Sequence, residues 1–168
     1  MSERRDAEYV EYVESRLTWL RRVAYLLCQD WHSADDLVQV AVTRLFTHWP
    51  RAQRVENLDG YVRTILVRAF LGERRSAWGR RVVLAGSPPE LAAASADRDA
   101  VLDVRDALLI VPPRQRATLV LRFYCDLDVD QAAAALGCSA GTVKSQTAKG
   151  LATMRRVLEP SAGPGREW

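Results

Sequence analysis

Helix boundaries near the C-terminus constrain this chain more than any other feature. Asp128 is followed three residues later by Gln131, the reciprocal pattern of a capping box, in which each side chain bonds the other residue's backbone N–H. The helix so begun, Asp130–Leu136, ends at Gly137, which adopts a left-handed C-cap without steric cost. Ser139 then offers a second N-cap, and the helix it opens runs from Ala140 to about Leu158 before Pro160 stops it. A short alanine-rich helix, a turn at Gly137-Cys138-Ser139 and a longer helix have the spacing of a helix–turn–helix. Ala132, Ala133, Leu136, Val143, Leu151 and Met154 supply apolar contacts, and the small alanines allow the helices close approach.

The rest of the chain also reads as helical. From Ala7 to Leu27, Tyr9, Val13, Leu17, Leu20, Ala24 and Leu27 recur at a spacing of three and four and line one helix face. Ser33 is placed to cap a second helix, Ala34 to about Trp49, with Asp35 and Asp36 in its first turn and Pro50 at its end. A third begins near Asn57 or Asp59 and carries the stripe Leu58, Tyr61, Val62, Ile65, Leu66 and Ala69. Val101–Ile110 forms another, broken by Pro112-Pro113, and Arg114 to about Tyr124 the next. No segment alternates with period two, so strands are not required. The expected fold is all-α: two small helical domains, residues 1–81 and 101–159, with a flexible linker over 82–100 and a Gly/Pro-rich tail over 160–168. The linker contains Gly86-Ser-Pro-Pro and small residues, with a short helical turn near Glu90.

Composition excludes several classes. At 48% hydrophobic and 27% charged residues the chain is globular. Its longest nearly uncharged runs fall far short of the roughly 20 apolar residues that cross a bilayer, and the charged start lacks a signal core; the expected location is cytoplasmic, with no membrane partner. Cys28, Cys125 and Cys138 are scattered and lack C-x-x-C spacing, and His32 and His48 have no cluster in metal-ligand register. Neither a metal nor another cofactor is expected. No Ser/His/Asp set or phosphate-binding glycine loop points to an enzyme.

The net charge of +3 is a weak argument for a polyanionic partner, but its distribution is not. Arg63, Arg68, Arg74, Arg75, Arg80 and Arg81 cluster with only Asp59 and Glu73 against them, and Phe70 and Trp78 are interleaved. Guanidinium and aromatic groups suit a phosphate backbone with unstacked bases; a solvated basic face over buried aromatics accounts for the same residues. In the C-terminal pair, Thr142, Lys144, Ser145, Gln146 and Lys149 lie near the start of the longer helix, where such motifs meet base edges and phosphates in the major groove. Gln146 can present a bidentate amide to adenine, and the lysines suit phosphate or guanine. A generic helical hairpin fits the spacing as well.

Three strings carry a family resemblance over nearly the whole chain. "VPPRQRATLVLRFY", then Asp126-Leu127 and "AAAALGCSAGTVKSQTAKGLATMRR", resemble region 4 of extracytoplasmic-function sigma factors, the domain that binds the −35 promoter element. "LLCQDWHSADDLVQVAVTRLF" is similar to the family's region 2, and "YVRTILVRAFLGERRSAWGRR" stands at the segment that captures and melts the −10 element. The overall cast most resembles the actinobacterial SigE-like branch. The resemblance implies that Asp35, Asp36, Leu37 and Gln39 contact core RNA polymerase at the β′ clamp, with the β flap also part of the partner. It implies that Arg63, Arg68, Arg74, Arg75 and Trp78 lie along −10 DNA. Arg114, Thr142, Lys144, Ser145, Gln146 and Lys149 would serve the −35 element. Core polymerase and promoter DNA are the implied partners, and an anti-sigma factor is left open as a third.

The chain departs from the family pattern at four positions. Val40 stands where Glu is usual, Arg68 and Gly72 where Asn and Asp are usual, and Gln146 where Arg is commoner. The Arg68 and Gly72 changes bear on −10 base capture. Two rival readings stay open: a regulator that binds DNA without polymerase, for which the Asp35–Gln39 helix has no use, and a protein-interaction module without DNA competence.

Overall fold

Asp30, rather than Ser33, starts the second helix. Its backbone is extended (φ −146°, ψ 127°) and its carboxylate accepts the Ser33 N–H at 2.8 Å. An ionised carboxylate is a stronger acceptor than a hydroxyl, so the cap falls three residues earlier than the serine suggested. The backbone N–H and hydroxyl of Ser33 hold the Asp30 carboxyl below its ordinary pKa. The computed structural model describes the backbone of residues 2–85 and 100–159 and the side chains of 2–72 and 104–159.

The elements are α1 (Ser2–Cys28), α2 (Trp31–Thr47), α3 (Trp49–Ala52), α4 (Leu58–Ala85), α5 (Ala100–Ile110), α6 (Pro113–Leu119), a π-helical turn (Val120–Tyr124), α7 (Val129–Leu136) and α8 (Ala140–Leu158). No strand occurs among the described residues. Helix α2 stops at Thr47, before the expected Trp49, and Pro50 sits in the first turn of α3, where a proline needs no N–H partner. Helix α4 runs through Ala85, so the first four residues of the expected linker are helical; residues 86–99, including the turn expected near Glu90, and the tail 160–168 lie outside the described residues.

In the N-terminal half α1, α2 and α4 form a bundle around Leu20, Leu27, Leu37, Leu45, Leu66 and Phe70. Polar ties fix the register of the bundle. Tyr9 donates to the Val42 carbonyl at 2.6 Å, while Tyr12 (2.7 Å) and Arg16 (2.8 Å) both donate to Asp59 Oδ1 at the start of α4. Leu17, expected on the buried stripe, is 39% exposed, because the core narrows toward the α1 N-terminus.

The helix expected from Arg114 to Tyr124 is straight only to Leu119. Beyond it the Cys125 N–H reaches back to Val120 O at 3.0 Å, a five-residue closure. The wider turn keeps both Val120 and Leu121 buried and leaves Phe123 and Tyr124 exposed. Asp126, at φ 55°, then reverses the chain into the left-handed region that Asp tolerates better than most residues.

The two halves are not independent. One buried core runs from Leu20 and Phe70 through Val120 and Leu121 to Ala135 and Leu136, with α1 and α4 packed on α6, the π-turn and α7. A smaller cluster of Leu108, Val111 and Leu119 takes in Leu26 of α1 and Leu151 of α8.

Candidate nucleic-acid interface

The C-terminal pair is built as its caps dictate. The Gln131 N–H donates to Asp128 Oδ1 at 2.7 Å and the Asp128 N–H to Gln131 Oε1 at 3.0 Å, closing the capping box. Gly137 takes φ 67° and ψ 40°, so the Cys138 N–H can reach Ala133 O at 3.1 Å. Ser139 Oγ accepts the Thr142 N–H at 3.1 Å and lies 2.9 Å from the Thr142 hydroxyl. Val143 is fully buried, and a Cβ on Gly150 would lie 2.9 Å from Leu119 Cδ1; its absence lets α8 settle against α6.

This seating turns Lys144, Ser145 and Lys149 outward, as the sequence led us to expect. Thr142 is half-buried and its hydroxyl is engaged at the cap. Gln146 is also half-buried, with Oε1 turned inward and without a hydrogen-bond partner, so the bidentate display anticipated for its amide is not the conformation adopted.

The basic candidates of α4 divide. Arg68 is exposed, yet its guanidinium is engaged: Nε donates to Ala135 O and Nη2 to Ala134 O, each at 3.2 Å. Arg114, from α6, donates to the neighbouring Leu136 O at 3.5 Å. A −10 candidate and a −35 candidate therefore converge on the carbonyl end of α7, where the helix dipole favours positive charge. Arg63 is half-buried with its Nε enclosed; its charge lies near Asp59 and Cys125. Phe70, read with Trp78 as a stacking aromatic, is 1% exposed and belongs to the core. The side chains of Arg74, Arg75 and Trp78 lie outside the described residues.

On α2, Asp35, Asp36 and Gln39 share the exposed face. Asp35 pairs with Arg21 at 2.7 Å, and Arg21 also covers the ring of Trp31, which stacks on Tyr25. Leu37 was grouped with these residues, but it is 1% exposed and packs inward. Facing the core every third or fourth residue, together with Ala34, Val38 and Ala41, it holds the acidic face in place rather than forming part of it. The half-buried Val40 packs against the same core.

The sequence reading missed Arg116. It is 5% exposed and donates to Leu108 O (2.7 Å), Leu109 O (3.0 Å), Val111 O (3.1 Å) and Leu27 O (2.7 Å). A signal was present, since Arg116 shares a helix face with Leu119 and Val120, three and four residues on, in an otherwise apolar run. Burial pushes the Cys125 thiol up, against a smaller opposing effect of Arg63, so this cysteine is a poor nucleophile near neutral pH.

Among the described residues no group of three or more His, Cys, Asp or Glu could hold a metal, and no helix is long and apolar enough to cross a membrane.

Comparison with known proteins completes the site's description. The family model for Sigma-70 region 2 matches residues 12–80, and that for Sigma-70 region 4 matches residues 102–154. The RNA polymerase sigma-E factor of Streptomyces coelicolor is 34% identical over 160 residues, covering 90% of this chain and 86% of that protein. Its counterpart in Streptomyces avermitilis is 35% identical over 161 residues, with the same coverage. The extracytoplasmic-function sigma factor SigL of Mycobacterium tuberculosis is 30% identical over 150 residues, covering 83% of this chain and 82% of SigL. Among solved structures, the sigma factor RpoE of Bartonella quintana, crystallised with the anti-sigma factor NepR, shares the fold with a TM-score of 0.71 at 23% identity, over 90% of this chain and 96% of that one. With regions 2 and 4 both present in order and relatives matched almost end to end, the chain belongs to the sigma-70 family as an RNA polymerase sigma factor of the extracytoplasmic-function type.

Proposed function

We propose that residues 1–81 bind core polymerase and the −10 element, that residues 101–159 bind the −35 element, and that 82–100 tether the two. Asp35, Asp36 and Gln39 form the face offered to the β′ clamp, with Leu37 as its internal support. Arg63, Arg74, Arg75 and Trp78 serve −10 DNA, and Lys144, Ser145 and Lys149, with Thr142 at the helix start, serve −35 DNA. Arg114 and Arg68 belong to these surfaces once their present contacts are released, and Gln146 once its side chain turns outward. The protein works in the cytoplasm and performs no catalysis of its own.

The observation that carries this reading is the pairing, in one chain, of an exposed acidic helix face with a capped helix–turn–helix whose lysines point outward. Each domain neutralises few phosphates, so each alone binds DNA weakly and with steep salt dependence. Held together on polymerase, the two grips gain effective concentration from one another. Opening the duplex costs on the order of a few kcal/mol per unstacked step, which contacts to the separated strand partly offset.

Transcription in vitro tests the proposal: purified protein and bacterial core polymerase on genomic fragments, with transcript starts mapped. New starts sharing paired upstream elements are the expected result, abolished by Asp35→Ala with Asp36→Ala. Core binding without new starts would overturn the assignment of the promoter-binding surfaces. Failure to bind core would remove the polymerase-docking assignment and favour a regulator acting alone.

A further inference from the structure

Arg68 stands on the helix assigned to −10 DNA, yet its guanidinium is committed to the opposite half of the molecule. Two of its nitrogens donate to Ala134 O and Ala135 O, in the last turn of α7. Arg68 Nη2 also lies 3.8 Å from where a Cβ on Gly137 would stand, so the turn of the helix–turn–helix sits over this part of α4. The placement is chemically apt, because carbonyls of a helix's last turn lack intrahelical donors and carry the negative end of its dipole. A planar fork can satisfy two such carbonyls at once; an asparagine, shorter and uncharged, cannot reach across the interface in that way. Behind this contact Arg116 ties α1 to the C-terminal half through Leu27 O, and the shared core continues beneath both.

We propose that Arg68 is a latch between the two halves: its grip on the end of α7 adds to the shared core and the Arg116 tie, and helps to hold the free chain closed. The inference rests on the assignment of α4 to −10 DNA, since its functional consequence is competition: Arg68 cannot hold α7 and a phosphate at once. In the closed state the end of α7 and the turn at Gly137 lie beside Arg68 on α4. Docking on polymerase and promoter must pull the halves apart, and the freed arginine then becomes available to DNA.

The test is a distance measurement on the full chain without polymerase or DNA, so it does not depend on whether the promoter assignments hold. Spin labels are attached through ketone-bearing unnatural residues at positions 51 and 155, both exposed and on opposite halves, and pulsed dipolar spectroscopy gives the distance distribution. The parent chain should show one narrow distance distribution. Arg68→Asn should move part of the population to long, broad distances, raising the open-to-closed ratio roughly tenfold, the equivalent of two charge-assisted bonds at a partly exposed site. Arg68→Lys, which keeps the charge but loses the fork, should fall between. A broad distribution in the parent chain would overturn the closed state, and a narrow one unchanged by Arg68→Asn would overturn the latch. The competition is read separately: adding a −10 single-stranded oligonucleotide with core polymerase should convert the parent distance to a longer one. If the latch responds to mutation but not to that complex, the −10 assignment fails while the latch stands.

Discussion

The guanidinium of Arg116 donates through Nη1 to the carbonyl oxygen of Leu27, 2.7 Å away and 89 residues earlier in the chain. The same side chain satisfies Leu108, Leu109 and Val111 at the end of α5, so one buried cation caps the C-termini of two helices from different halves. A charge in the interior is tolerated only when its donors are filled, and here the helix carbonyls fill them. Arg116→Met leaves these acceptors without their donor and is expected to lower stability by roughly 3 kcal/mol or more. Arg116→Lys should recover only part, because an ammonium cannot span both helix ends. Urea midpoints of the two variants against the parent chain check this.

Capping governs the helix–turn–helix in the same way. Asp128→Ala and Ser139→Ala each remove a side-chain acceptor and should each cost about 1 kcal/mol. Gly137→Ala forces a Cβ into φ 67° and should cost about 1–2 kcal/mol. The three sites lie on exposed turns, so thermal melts should record these losses while the far-ultraviolet spectrum at low temperature stays unchanged.

Close approach of α8 to α6 depends on Gly150. Gly150→Leu drives a side chain into Leu119, which is itself 4% exposed and has little room to move. Overpacking of this kind costs typically about 1–3 kcal/mol. The helix should tilt away from α6, so promoter binding in the polymerase complex should fall together with the melting temperature.

Stability should depend on pH through Asp59. Burial raises its carboxyl, but hydrogen bonds from Arg16 and Tyr12 and the charges of Arg16 and Arg63 outweigh that effect, leaving the pKa below its ordinary value. A carboxyl depressed in the folded state stabilises the protein above its unfolded pKa of about 3.9, and the contribution disappears as pH falls through the folded value. The stability difference between the parent chain and Asp59→Asn should therefore be constant near neutral pH and shrink in acid below that range. Denaturant titrations at a series of pH values measure it; a difference that grew on acidification would contradict the assignment.

Lys144 and Lys149 carry the outward charge at the start of α8. Replacing both with Ala should weaken binding of the polymerase complex to promoter DNA and reduce the slope of log affinity against log salt by about two. Unchanged binding would mean that the recognition surface lies elsewhere.

The sequence by itself determined the local architecture wherever a backbone group had a nearby partner. Asp128, Gln131, Gly137 and Ser139 marked both helices of the C-terminal pair, because caps act within three residues of where they stand. The outward set of Lys144, Ser145 and Lys149 followed from the same helical register. Local reading failed where two acceptors or two faces competed: Asp30 displaced Ser33 as the cap, the π-turn at Val120–Tyr124 interrupted an expected straight helix, and Leu37 and Phe70 went to the core. The tertiary structure alone decided the relation between the halves. Neither Arg68 reaching Ala134 and Ala135 nor Arg116 reaching Leu27 is written in any periodicity, because contacts between distant segments depend on the packing of whole helices. A charged side chain bound to backbone carbonyls also leaves no opposite charge in the sequence to mark its partner.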